Sequence, residues 1–222
     1  MCGRFVLYTT DESLLAHVGA LPGVTEVHAP EGTPGPRYNI APTQMVPVVR
    51  LALPEARLDP ARWGLLPHWK KDETGPPLFN ARGETVATKP SFRDAFRRQR
   101  GLIPMDGYYE WHDDGSGKRP YFVSPGEGRI MWAAALWATG LDRLSATMVT
   151  TDSAGPLAWL HDRLPRFLTE EEVEQWTMGT AEQAAELLHP TPVDYLEQLG
   201  IRPVDKAVGN TRNDYPELIA EN

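Results

Sequence analysis

The chain has 222 residues, 41% of them hydrophobic and 9% aromatic, and a formal net charge of −8, which is ordinary for a globular protein able to bury one substantial core; a single domain spanning 1–222 is expected. Its one cysteine, Cys2, excludes an intrachain disulfide and a multi-cysteine zinc site. No signal-peptide pattern and no apolar run long enough to cross a bilayer occurs, so a cytoplasmic, monomeric protein without membrane contact is expected.

In chain order, Thr9-x-x-Glu12 reads as a capping box opening the apolar pattern Leu14, Leu15, Val18. Apolar and β-branched runs then predict strands at 46–53, 61–66, 79–87, 102–111, 120–124, 130–139 and 146–151. A helix over 91–99 carries an arginine cluster, and Thr169-x-x-Glu172 and Thr180-x-x-Gln183 open two acidic helices, followed by a third over 193–199. The expected fold is α+β, with a curved, barrel-like, mainly antiparallel β core and peripheral helices. Proline-rich stretches around 22–42 and 54–77 read as long loops, a common setting for binding surfaces.

Charge is uneven along this order. Segment 62–100 has nine Lys/Arg against four Asp/Glu, or +5, whereas 167–222 has three bases against twelve acids, or −9. A basic face can therefore coexist with an acidic back, since screening over roughly 8–10 Å decouples opposite surfaces. Trp63, His68, Trp69, Lys70 and Lys71 add aromatics beside bases, the mixture that unpaired nucleobases and their phosphates require.

Cys2 stands directly behind Met1. Removal of Met1 would leave a 1,2-aminothiol, whose α-amine titrates near ~8 and thiol near ~8.5, against ~10.4 for a lysine. Such a pair captures an aldehyde as an imine and then closes a five-membered thiazolidine. Cleavage of an amide with Cys2 as nucleophile, His161 as base and Asn80 or Glu110 as orienter is the alternative. Simple packing of Cys2 in a non-covalent single-strand binder is a third. Glu110, between aromatic residues near a strand end, suits proton transfer; His161 exchanges protons near neutral pH; Asn80 can donate and accept near the terminus; Arg82 suits a phosphate. No phosphate-cradling glycine loop and no metal-ligand spacing occurs, so neither a cofactor nor a metal is expected.

In sequence order, Met1-Cys2-Gly3-Arg4-Phe5, Arg37-Tyr38-Asn39-Ile40-Ala41-Pro42, Trp63-Gly64-Leu65-x-Pro67-x-Trp69, Asn80-Ala81-Arg82-x-Glu84, Gly107-Tyr108-Tyr109-Glu110-Trp111, His161-Asp162-Arg163-x-Pro165 and Val208-Gly209-Asn210 resemble the SOS-response-associated peptidase (SRAP) family of abasic-site-processing proteins. The likeness covers essentially the whole chain. It implies a β-rich core that binds single-stranded DNA containing abasic sites and joins Cys2 covalently to the abasic sugar, with reversal of the bond conceivable. By the same resemblance Asn80, Glu110 and His161 would be catalytic with Cys2, and Arg4, Asn39, Pro42, Trp69, Arg82 and Arg163 would hold the DNA. Leu164 stands where the family pattern has methionine, a conservative apolar exchange.

Overall fold

The computed structural model describes residues 2–115, 117–126 and 128–221. Strand β1 (Phe5–Leu7) leads into α1 (Asp11–Gly19), then β2 (Glu26–His28), β3 (Arg37–Ile40), β4 (Met45–Ala52), β5 (Glu55–Trp63) and β6 (Asn80–Arg82). Two short helices, α2 (Gly83–Val86) and α3 (Arg93–Arg98), precede β7 (Arg100–Met105), β8 (Gly107–Asp113), β9 (Lys118–Ser124), β10 (Met131–Gly140) and β11 (Arg143–Asp152). A 3-10 turn at Gly155–Leu157 is followed by β12 (Arg163–Pro165), β13 (Phe167–Leu168), α4 (Glu170–Met178), α5 (Ala181–Ala185), α6 (Val193–Leu196) and β14 (Gly200–Pro203).

Two sheets form. The smaller runs β14-β9-β8-β1-β3 and is antiparallel throughout. The larger runs β12-β11-β10-β7-β4-β5-β2 and curls until β11 meets β5 in a short parallel contact, Ser145 opposite Arg62 and Ala146 opposite Trp63. The result is ring-like without being a closed barrel, and the α+β architecture with a curved, mainly antiparallel core matches the sequence expectation. Helix α4 lies against β7, where the buried Trp176 donates its indole N–H to the Gly101 carbonyl at 3.0 Å.

Local signals were obeyed where nothing distant competed. Thr169 and Thr180 form the two predicted capping boxes at α4 and α5. The third box does not form. The Thr9 N–H and hydroxyl both donate to the Asp106 carboxylate, at 2.8 and 2.6 Å, so α1 starts at Asp11 with Thr10 as its cap. The same carboxylate accepts from the Tyr8 N–H at 2.6 Å and marks a corner. The strand expected over 102–111 is therefore two strands, β7 in the larger sheet and β8 in the smaller. The strand expected over 79–87 ends at Arg82 and turns into α2, and the stretches expected as loops contain β2, β3 and β5.

The arginine-rich helix is shorter than predicted, and not all of its charge faces water. Arg93, Arg97 and Arg98 are exposed, but Arg100 is buried and donates to the carbonyls of Phe96 (2.6 Å), Arg97 (3.0 Å), Trp176 (2.6 Å) and Gly179. It satisfies the otherwise orphaned carbonyls at the ends of α3 and α4.

Past the Asp106 corner, Gly107 leaves no room for a side chain: a Cβ there would lie 2.3 Å from Phe122 Cζ and 2.6 Å from the Val123 carbonyl oxygen. Gly107→Ala is expected to cost about 1–3 kcal/mol through overpacking, measured as a lower urea midpoint with an unchanged slope.

Candidate active site around Cys2

Strand pairing brings the terminus to Glu110. β1 lies antiparallel to β8, with Phe5 opposite Tyr108, and the Tyr109 N–H donates to the Arg4 carbonyl at 2.9 Å, so the residues ahead of β1 run beside Glu110. Cys2 is fully buried there, its thiol donating to the Arg4 carbonyl at 3.7 Å. Burial, and after it the negative charge of Glu110, pushes the thiol pKa far up. The Tyr108 hydroxyl, buried in the same cluster, is also raised well above its ordinary value by burial and then by Cys2 and Glu110.

Asn80 arrives from the other sheet. β6 runs parallel to β11, Met148 opposite Asn80, and this register aims the Asn80 amide at the terminus: Nδ2 donates to the Cys2 carbonyl at 2.7 Å. Its Oδ1 is buried without a hydrogen-bond partner among the described residues, leaving an acceptor beside Cys2. Glu110 is 5% exposed, and its Oε1 accepts from the Trp111 N–H at 3.3 Å.

His161 follows the turn that buries Leu157 and Leu160. Its Nδ1 accepts from the Arg163 N–H at 3.0 Å and lies 2.6 Å from Asp162 Oδ1. Glu110 and His161, with Gly3, Arg4, Trp111 and Lys118, line one open cleft of about 520 Å³. Of the four residues expected to be catalytic, Glu110 and His161 line the cleft, Cys2 is buried within reach of the Glu110 charge, and the half-buried Asn80 is hydrogen-bonded to the Cys2 carbonyl. Tyr108 and Trp111, which in the sequence figure only as flanks of Glu110 with no role of their own, and Lys118, which carried no expectation, join them.

The residues expected to hold a nucleic acid differ in how far they are exposed. Trp69 is 51% exposed, Arg82 is exposed and Pro42 half-buried, all available to a partner. Arg4 is intermediate: its guanidinium donates to the carbonyls of Val208 (2.7 Å) and Gly209 (3.1 Å) and to Asn39 Oδ1 (3.1 Å), and lies 5.7 Å from the Trp111 ring centre. Asn39 and Arg163 are different. Asn39 is fully buried, and its Nδ2 donates to the carbonyls of Val208, Asn210 and Asn213 at 3.1, 3.1 and 2.9 Å, so it reaches a partner only by positioning Arg4. Arg163 is 9% exposed and bonded to Glu84, to Asp152 at 2.8 Å and to the Thr150 carbonyl at 2.7 Å. Asn39 and Arg163, which the resemblance places among the DNA-holding residues, thus have most of their polar groups engaged inside the fold, although Arg163 Nε is buried without a hydrogen-bond partner among the described residues. Trp63, one of the aromatics expected beside bases, is also interior, packed edge-on against Phe5 and Phe79.

Asn39→Ala is expected to destabilise the fold by about 2 kcal/mol, by leaving the Arg4 guanidinium and three carbonyls short of a partner. Chemical denaturation measures the loss, and faster proteolysis within 206–213 localises it.

The two-sheet α+β fold thus buries Cys2 beside Glu110 and Asn80, next to a cleft that Glu110 shares with His161. The chain belongs to the SRAP family, whose model, SOS response associated peptidase, matches residues 1–211. It is 33% identical to the abasic site processing protein YoqW of Bacillus subtilis strain 168 over 99% of both chains, and 33% identical to the abasic site processing protein YedK of Escherichia coli K12, again over 99% of each. A crystal structure of a protein from Bacteroides thetaiotaomicron superposes over 100% of both chains with a TM-score of 0.79 at 22% identity, a likeness of fold.

Proposed function

We propose that this protein processes abasic sites in single-stranded DNA by joining Cys2, freed of Met1, to the open-chain aldehyde of the lesion. The observation that carries the reading is the convergence of Asn80 and Glu110 on a buried Cys2, with Glu110 also lining the cleft that holds His161. Met1 itself lies outside the described residues. The curated relatives bear the name of abasic site processing proteins, and the basic, aromatic-rich segment around Trp69 and Arg82 suits an unpaired strand.

The chemistry balances with this chain's own groups. An abasic deoxyribose is mostly a closed hemiacetal; Glu110 takes the proton from its O1 hydroxyl and hands it to O4, which opens the ring and returns Glu110 to its carboxylate form. The Cys2 amine adds to the aldehyde carbon, and His161 protonates the hydroxyl that leaves as water, giving an imine. Sulfur then bonds to the same carbon while the thiol proton passes, through Glu110, to nitrogen. The net change is one thiazolidine and one water. Asn80 Oδ1 accepts from the nitrogen as it gains positive charge, and Nδ2 holds the Cys2 carbonyl so that nitrogen and sulfur face the same carbon. Since the product carries no free imine, β-elimination of the strand is suppressed and the lesion is shielded.

Peptide cleavage by Cys2 is the weaker reading. A nucleophilic cysteine works as a thiolate with a depressed pKa, whereas here burial and Glu110 both act to keep the proton on sulfur. In aldehyde capture the amine reacts first and the thiol closes an intramolecular ring, so a protonated sulfur beside a base is serviceable.

Incubation of the purified chain with a synthetic single strand carrying one abasic site, followed by intact mass measurement, tests the proposal. The expected mass is that of the chain without Met1 plus the strand less one water. No adduct, or an adduct on chains that retain Met1, would overturn it.

A further inference from the structure

Two residues before His161 the chain exposes Trp159, 47% accessible although the leucines two before and one after it are buried at 1% and 3%. Leu157 and Leu160 anchor the turn, the Leu160 N–H donating to the Leu157 carbonyl at 3.0 Å, so the indole is held outward by a fixed backbone. Its ring is fixed too. His112 and Tyr121 each meet it edge-on at 5.1 Å, with interplanar angles of 74° and 87°. Tyr121 is the cross-strand partner of Glu110, and His112 lies two residues along β8 on the same side. The indole is therefore clamped on the face of β8 and β9 that carries Glu110, two residues before His161 in the chain. Nothing in the covalent chemistry calls for it there.

We infer that Trp159 is a stacking platform for an unpaired nucleobase adjacent to the abasic sugar, and that it thereby makes a single strand with a neighbouring base the preferred substrate. This rests on the proposed function of the same site. A sugar whose carbon reaches Cys2 must thread the cleft past Glu110 and His161, so the next nucleotide emerges beside Trp159. A half-exposed indole held by two neighbouring rings offers that nucleotide aromatic surface with little ordering entropy left to lose, and stacking serves any base. The exposed Lys118, which lines the cleft, and Arg119, 6.0 Å from the Tyr121 ring centre, stand by for the attached phosphate; Asp113 and the exposed Asp162 are the acids facing the same region. Stacking tolerates that mixed charge, whereas recognition by phosphate alone would not.

The test pairs a protein change with a DNA change. Short single strands carry one abasic site flanked on one side, then the other, either by thymine or by a stable base-less spacer that has no aldehyde. Binding is read by fluorescence anisotropy without reductant in the Cys2→Ala background, where no stable covalent product accumulates, with and without Trp159→Ala. Removal of the base on one side is expected to weaken binding about tenfold in the protein that keeps Trp159 and less than about twofold once Trp159 is alanine, with Trp159→Phe retaining most of the base effect. An equal loss in both proteins, or no loss from either side, overturns the inference. Circular dichroism of Trp159→Ala and its melting temperature separate a stacking defect from a folding defect. Adduct formation by the otherwise unaltered chain reports separately on the underlying reading: an adduct without a Trp159-dependent base effect sinks only the platform, while absence of both adduct and binding sinks the two together.

Discussion

Cys2→Ala is expected to abolish the covalent product with abasic single strands, a loss greater than about a hundredfold, while leaving non-covalent binding within about twofold. Alanine removes only a small buried group, worth about 1 kcal/mol of packing, so the fold remains to be assayed. The amine survives in this variant, and a transient imine can still form. Borohydride, which reduces an imine and leaves a thiazolidine untouched, therefore traps an adduct from Cys2→Ala but adds nothing to the yield of the unaltered chain. Cys2→Ser should behave like the alanine variant, with at most a labile product, because a hydroxyl closes the ring poorly. A Cys2→Ala protein that still accumulates a stable adduct without reductant would remove sulfur from the mechanism and with it the thiazolidine.

The elements that could be read from the sequence are those whose determinants are close in the chain. The capping boxes at Thr169 and Thr180 satisfy their own helix ends, and they formed. The equally good pattern at Thr9 failed because Asp106, far along the chain, claimed the Thr9 donors. Apolar residues flank Asp106-Gly107 on both sides within 102–111, so the stretch reads as one strand; the bonds that Asp106 accepts from Tyr8 and Thr9 turn the chain there from one sheet into the other. The same division holds in the site. Cys2, Asn80, Glu110 and His161 are polar letters in apolar strings and announce themselves. Asn39 and Arg163 look like free polar groups in the sequence, yet their partners, Val208 to Asn213 for one and Glu84 and Asp152 for the other, are supplied by distant segments. Trp159 could not be singled out because its significance depends on rings at His112 and Tyr121.

Glu110→Gln is expected to slow adduct formation about a hundredfold, within the usual range for a lost general acid–base group, with binding of the strand little changed. The substitution has two opposed effects on sulfur. It removes the base that takes the thiol proton, and it removes a negative charge that holds the thiol pKa up. Burial outranks Glu110 among the causes of that elevation, so most of it persists in the variant and the sulfur stays protonated at neutral pH; the loss of the base prevails. The two effects separate by measurement. The pH at which alkylation of Cys2 reaches half its limiting rate should move down in Glu110→Gln, since the neutral amide no longer opposes the thiolate, while single-turnover adduct formation at the same pH becomes slower. A reaction limited merely by access to a buried cysteine would move both rates in the same direction. If adduct formation instead accelerates along with alkylation, Glu110 acts only as a charge that restrains the thiol and the proton must travel by another group, with His161 across the cleft the remaining candidate.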